Sequence, residues 1–426
     1  NNVSIDEIIK ANSIKGNLIL PGQKIKIPAK AAISQQEVVS KNNSVANNRT
    51  KQLFRKHIVK RGESLYKIAR LEKITVSELM KANRIVDNFL YPGQELIIPV
   101  NSQIQYSSSN RRSTEKILGF RSRVNSESYL KRISKAKKEF QILKSGSNTY
   151  DLFNNSRYIA TVKDNVPSKF AVRKDGVQYN NGSKINYGYI KSLGYNEATA
   201  LALSFVSSNE GSASALNFYD GAGSFGFIQF TIKYGSFTKF VSLLKDNDYI
   251  AYEKYLVKYG IVLENGNLVV YTPEGYKGYT RLTGNLVIDY IIKTKSLYGP
   301  LILLGENTKA VQVESAVQQY MNPAQNLQLS LNNFQYPVKA SEVFNTSIGV
   351  AALTDLSVKL GVNGAKAEIE RALNQYFSHP ANQLKRTTNY QLIKFIASSS
   401  SNELVRKRMQ KLLTQYGTNQ LLGVVS

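Results

Sequence analysis

The chain contains no cysteine and no tryptophan, and only two histidines, His57 and His379, among its 426 residues. Without cysteine it forms no disulfide and offers neither a thiol nucleophile nor a thiolate metal ligand. Imidazole is almost as scarce, so a zinc site would have to be built from carboxylates, which is unusual. Negative charge is also in deficit. Thirty Asp and Glu stand against fifty-six Lys and Arg, giving a formal charge of +26 and pointing to polyanions or negatively charged surfaces as partners. No run of about 18 apolar residues exists to cross a bilayer, and no signal peptide is visible. What is present is a 42% hydrophobic content, enough for a sizeable core in two or three domains at about 150 residues each.

The N-terminal quarter repeats itself. Val3 to Asn12 aligns with Ile74 to Asn83, and the register holds at an offset of 71 through Pro21-Gly22-Gln23 and Pro92-Gly93-Gln94 to Pro28 and Pro99. The front half of the unit, His57 through Ala69, has no counterpart before residue 1. The chain is thus expected to lack its natural start, with any export signal upstream. Each unit reads as strand, helix, helix, strand. His57-Ile58-Val59 suits a strand, and Ser64 can cap a helix with Leu65, Ile68 and Ala69 on one face. Thr75 with Glu78, like Ser4 with Glu7, forms a capping box for the second helix, and Pro92-Gly93-Gln94 turns into a closing strand.

These residues resemble the LysM family: the Gly-Glu-Ser-Leu opening at 62–65, the Lys-Ala-Asn helix end at 81–83, and Tyr-Pro-Gly-Gln followed by Ile-Pro at 91–99. The resemblance covers 57–100 as a complete repeat and 1–30 as a partial one. It implies binding of peptidoglycan or a related N-acetylglucosamine polymer in a shallow groove. Carried over by position, the groove would comprise Gly62, Ser64, Leu65, Asn83, Ile85, Phe89 and Leu90, with Asn12, Ile14, Leu18 and Ile19 in the partial copy. The alternative role of the apolar members is to fill a small core.

Residues 31–56 are rich in Ser, Asn, Gln and Lys and read as a flexible tether. Residues 101–144 read as a basic linker ending in an amphipathic helix from Ser126, with Leu130, Ile133, Phe140 and Leu143 on one face. Such a helix either touches an anionic envelope polymer or packs on the following domain with a solvated basic side. Nucleic acid is the weaker option, because no recognition motif accompanies the charge.

Residues 145–426 are expected to form one mainly helical domain, making the whole an α+β protein. Strands are expected at 157–162 and 170–172, a helix from Asn196, and later helices near 236–245, 308–320, 347–360, 364–376 and 389–415. A hairpin is expected around Asn265-Gly266. Peptide-cutting wall enzymes mostly need a Cys–His pair or a His-rich zinc site, whereas glycosidic cleavage needs carboxyl groups alone. Glu210, at the end of the helix from Asn196 with Gly211 to stop it, meets the negative end of the helix dipole. Phe225 and Phe227 are expected to desolvate it, and both effects favour the protonated acid.

The stretch 205–231 resembles the lysozyme-like superfamily of peptidoglycan glycosidases, including goose-type lysozymes, lytic transglycosylases and chitosanase-like relatives. Its Gly-x-x-Gly-hydrophobic-x-Gln segment is matched by Gly223 to Gln229. The resemblance implies Glu210 as general acid, Asp220 as a second carboxylate, Gln229 as a substrate-facing amide, and Gly226, Phe227 and Tyr219 along the substrate, with no cofactor and no metal. Asp220 is otherwise a turn residue beside Gly221. Asp355, on an apolar helix, is expected to be a buried carboxylate paired with a Lys or Arg. Two functions follow from this reading: a wall-bound glycosidase of muramidase or lytic-transglycosylase type, or an inactive, wall-anchored structural adaptor of a secretion, motility or phage-tail apparatus, with an envelope protein complex as partner. Both place the protein outside the cytoplasmic membrane.

Overall fold

The computed structural model describes residues 54–60, 65–72, 74, 76–83, 85, 90, 93–99, 127–164, 176–273, 279–380 and 382–416. The first of its elements form the expected strand, helix, helix, strand unit. Strand β1 (Phe54–Ile58) pairs antiparallel with β2 (Glu95–Pro99), Phe54 opposite Pro99 and Ile58 opposite Glu95. Between them lie α1 (Leu65–Leu71) and α2 (Val76–Asn83). Alternation in β2 buries Leu96 and Ile98 and exposes Glu95 and Ile97, so Leu96 and Ile98 join Leu65, Ile68, Ala69 and Leu79 in a core that is continuous with that of the residues downstream.

Helix α3 (Glu127–Lys138) is amphipathic as expected. Tyr129, Leu130, Ile133 and Ala136 are buried, Arg132, Lys135 and Lys138 are exposed, and the Tyr129 hydroxyl donates to Val257 O at 2.7 Å. It is therefore a helix packed on the domain with a solvated basic side. It ends earlier than its apolar spacing suggested. Phe140 and Leu143 belong not to the helix but to β3 (Phe140–Lys144), which pairs with β4 (Thr149–Asn154) across the expected boundary at 144/145. Phe140 packs edge-on against Tyr259, and its ring lies where a side chain at Gly299 would sit.

From β4 the chain continues through β5 (Arg157–Lys163), β6 (Gln178–Tyr179), α4 (Tyr187–Ser192), α5 (Glu197–Glu210), β7 (Leu216–Asn217), β8 (Ser224–Phe225) and β9 (Phe230–Thr231). Strands β3 to β9 form one antiparallel sheet in sequence order, with a bulge at Leu152/Phe153. The two helices are inserted between β6 and β7, which brings the end of α5 back to the sheet. The strand expected at 170–172 lies outside the described residues.

Helices α6 (Ser236–Asn247) and α7 (Tyr249–Tyr255) follow, then a three-stranded sheet of β10 (Ile261–Glu264), β11 (Asn267–Thr272) and β12 (Thr280–Leu282). Asn265 at φ 49° and Gly266 at φ 76° make the tight β10–β11 turn. Helices α8 (Asn285–Lys293), α9 (Tyr298–Asn307) and α10 (Lys309–Ala316) lead into a π-helical turn, Val317–Met321. The described residues end with α11 (Ser347–Phe377), broken at Gly361 (φ 74°), α12 (Asn389–Ser399) and α13 (Glu403–Tyr416). The break at Gly361 divides the two helices expected at 347–360 and 364–376.

Helix α5 is apolar nearly all round, the pattern of a helix covered on every side. Ala200, Leu203 and Val206 enter the core beside the sheet. Ala198, Leu201, Ala202 and Phe205 enter a second core with Leu353 and Leu356 of α11 and Met409 and Leu412 of α13. No described helix is long and apolar enough to cross a membrane.

Candidate functional site

Asn196 caps α5, its side chain accepting from Thr199 N at 2.9 Å, and the helix delivers Glu210 at its last turn. Gly211 follows in an extended conformation, φ 166°, so left-handed geometry is not what demands glycine here. Space is. A Cβ at Gly211 would lie 3.0 Å from Ala215 Cβ, 3.1 Å from Asn180 Oδ1 and 3.2 Å from Gln229 Nε2.

The Glu210 side chain is 12% exposed, and its Oε1 accepts from Arg408 Nη2 of α13. The same guanidinium donates through Nη1 to Asp355 Oδ1 at 3.0 Å, and Asp355 is fully buried. Asn209 Nδ2 donates to Asp355 Oδ1 at 3.1 Å, while Lys411 Nζ donates to Asn209 Oδ1 at 2.6 Å. Burial pushes Asp355 above its ordinary value against the pull of Arg408. The expected partner of Asp355 is thus Arg408, which also holds Glu210.

The loop after α5 is placed differently from the expectation in several respects. Both oxygens of Asp220 are engaged in its own turn: Oδ1 accepts from Ala222 N at 2.9 Å and Oδ2 from Ser224 Oγ at 3.0 Å. Gly226 and Phe227 are buried, Phe227 completely, so neither lies along an open substrate path. Phe225 packs against Phe237 and Phe240 in the core. Gln229 does reach the Glu210 neighbourhood beside Gly211. It holds the left-handed φ of 59°, donates from Nε2 to Gly226 O at 3.0 Å and accepts from Asn217 Nδ2. A non-glycine residue in that region carries strain of about 1–3 kcal/mol, which the surrounding bonds must offset. Tyr219 is half-buried, and burial, then the Asp220 charge, pushes its hydroxyl up.

Two further residues stand at Glu210 that its local sequence does not announce. Arg408 is 198 positions away. Tyr320 rides on the π-helical turn, and its hydroxyl is pushed up first by burial and also by the Glu210 charge, against a hydrogen bond with Ser236. Such turns recur at functional sites because they push one side chain out of helical register. Asn180 Oδ1 accepts from Ser212 N at 2.8 Å. Around this cluster Ser212 Oγ, Asn217 Oδ1 and Asp355 Oδ2 are buried without a hydrogen-bond partner.

In the repeat unit, Asn83 is tied to the strand opposite. Its Oδ1 accepts from Ile97 N at 2.6 Å, and Nδ2 donates to Ile97 O at 2.8 Å and to Leu79 O at 2.7 Å. Leu65 is 3% exposed and belongs to the core, and Ile85 and Leu90 pack half-buried against it. Gly62, Ser64 and Phe89, and Asn12, Ile14, Leu18 and Ile19, lie outside the described residues. Among the described residues no group of three or more His, Cys, Asp and Glu side chains is placed to hold a metal ion.

Comparison with known proteins carries the repeat reading. The chain is 35% identical over 93 residues to the N-acetylmuramoyl-L-alanine amidase sle1 of Staphylococcus epidermidis, a stretch covering 22% of this chain and 26% of that protein. It is 31% identical over 98 residues to the probable autolysin SsaALP of Staphylococcus aureus, covering 23% of this chain and 34% of the relative. The chain thus spans about a quarter to a third of the length of these curated relatives. No solved structure matches it significantly. The lysozyme-like reading of 205–231 rests on its residues alone. The LysM domain family matches residues 1–28 and 57–99, and these segments are LysM domains.

Proposed function

We propose that this is an extracytoplasmic cell-wall protein whose LysM domains hold it on peptidoglycan while the domain after residue 127 cleaves glycan strands with Glu210 as general acid. The LysM match supports attachment to N-acetylglucosamine polymers, and two modules on one chain raise the local concentration of the polymer for the rest. The relatives are named as an amidase and an autolysin, which supports a wall setting. Their amide chemistry is harder to transfer. These 426 residues contain no cysteine, His57 sits in the LysM unit, and His379 follows α11.

One observation carries the glycosidase reading: Glu210 ends a buried helix next to Asp355, whose Oδ2 has no protein partner, and near Gln229 at its left-handed φ and the half-buried Tyr320. Buried polar atoms with no protein partner are places where water, an ion or a ligand is held. In the proposed reaction the Glu210 proton passes to the bridging oxygen as the sugar C–O bond breaks, leaving an oxocarbenium-like centre for water or a sugar hydroxyl to capture. For Glu210 to carry that proton, its contact with Arg408 opens when substrate enters.

The second reading, a non-cleaving adaptor, is favoured by the closed Glu210–Arg408–Asp355 set and by the engagement of both Asp220 oxygens. A zymogram on purified peptidoglycan separates the two. Wild type is expected to clear the gel and Glu210→Gln to leave it opaque, with product mass distinguishing reducing from anhydro ends. If both proteins are inert yet sediment with sacculi, the adaptor reading holds.

A further inference from the structure

We propose that the downstream domain carries a second saccharide pocket, apart from the Glu210 cluster, that takes an uncharged N-acetylated amino sugar of a glycan strand. A cavity of about 620 Å³ opens between the β4–β5 hairpin, residues 179–183 and the end of α9. That volume falls within the range of roughly 300–1,000 Å³ usual for small-ligand sites. Tyr158, Tyr179, Asn154, Asn181, Arg157 and Glu306 line it, over aliphatic side chains of β5 and α9.

The lining matches the chemistry of a sugar ring. Tyr158 is 55% exposed, yet its ring is fixed edge-on by Phe153 and its hydroxyl bonds to Thr161 at 2.9 Å. An aromatic face is electronegative and attracts the C–H face of a pyranose, while amides pair with hydroxyl and acetamido groups. Asn154 Oδ1 is a buried acceptor with no partner at this lining. Glu306 is held rigidly: Oε1 accepts from Ser183 N at 2.9 Å and Ser214 Oγ at 2.6 Å, and Oε2 faces Lys309 Nζ at 3.2 Å. Glu306 Oε2 retains a lone pair for a sugar hydroxyl, and Lys309 and the lining residue Arg157 offset its charge, which suits an uncharged ligand.

The lining of this pocket includes none of Glu210, Arg408 and Asp355. Tyr179 and Asn181 line the cavity, whereas Asn180 turns the other way, onto Ser212 N and Gly211. The two neighbourhoods meet at Ser212, whose N–H is held by Asn180 and whose Oγ would lie 3.1 Å from a Cβ at Gly182 in the lining.

This inference rests on the glycan reading above, but its test is independent of cleavage. Hydrogen exchange of the full chain is followed by mass spectrometry with and without chitotetraose, the 54–99 unit serving as an internal reference. Slowed exchange is expected in peptides covering 154–159, 179–183 and 302–307. Tyr158→Ala, and separately Asn181→Ala, should raise the half-saturating concentration for those peptides about tenfold, the equivalent of one well-placed ring or polar contact, and leave 54–99 unchanged. Protection confined to 54–99, or pocket protection indifferent to both substitutions, overturns the proposal. A cleared zymogram with an unprotected pocket would overturn this inference and leave the Glu210 reading standing.

Discussion

Replacing Arg408 with Met removes the shared partner of two acids in very different surroundings. Asp355 is fully buried, retains only Asn209 on Oδ1, and has no partner on Oδ2. Glu210 keeps 12% of its side chain in solvent. Deleting one member of a buried ion pair costs about 3–5 kcal/mol, chiefly because the remaining charge stays buried and uncompensated. At about 2–4 °C per kcal/mol for a domain of this size class, the melting temperature should fall by roughly 6–20 °C. Met fills similar volume, so a cavity contributes little. Urea unfolding of Arg408→Met, Asp355→Asn, Glu210→Gln and the two doubles measures the couplings. Asp355→Asn should recover a large part of the Arg408→Met loss, because the neutral amide does not strand a charge, whereas Glu210→Gln should recover less from its wetter position. An Arg408→Met variant within about 0.5 kcal/mol of wild type would refute the argument. So would a coupling to Glu210 equal to that with Asp355.

In the LysM unit, Asn83→Ala removes three hydrogen bonds joining α2 to Ile97 and to its own last turn, worth about 1 kcal/mol each. A unit this small should lose amide protection along β1 and β2 while the sheet β3–β9 keeps its own; unchanged exchange at 95–99 would show that the amide is not the tie. At the second pocket, burial works to raise Glu306, but the bonds from Ser214 and Ser183 and the Lys309 charge outweigh it and leave the group below its ordinary value. Such a carboxyl binds fewer protons folded than unfolded. Its contribution is therefore complete above its unfolded value, near about 4.3, and is lost as pH falls through the lower folded value. Glu306→Gln should flatten the fall in urea midpoint between about pH 5 and about pH 3, and an unaltered slope would refute the assignment.

Where one short stretch decides the structure, the sequence was readable. The complete repeat folds as the expected strand, helix, helix, strand. Asn196 and Gly211 bracket α5 as expected, Asn265-Gly266 turns the β10–β11 hairpin, and Gly361 breaks α11 between the two helices foreseen. Phe140 and Leu143 show where that logic fails. Their spacing after Ile133 continues a helical stripe, but five residues also fit a strand, and pairing with β4 decides in favour of the strand.

The candidate site lay largely beyond local reading because its bonds are tertiary. Phe225 and Phe227 were expected over Glu210 on grounds of nearness in sequence, yet the left-handed turns at Gly223 and Gly226 accompany their burial in the core. The residue that does hold Glu210 comes from the last described helix, and the π-helical turn that carries Tyr320 follows no local sequence rule. Asp355 lies between these cases. A carboxylate on an apolar helix face requires a cation, so the type of partner was legible, while its identity depended on how α13 packs against α11. The same packing makes Glu210 and Asp355 share one guanidinium. Any change that loosens α13 must therefore alter the proposed acid and the buried core together, and a glycosidase built this way would be expected to lose activity and stability in step.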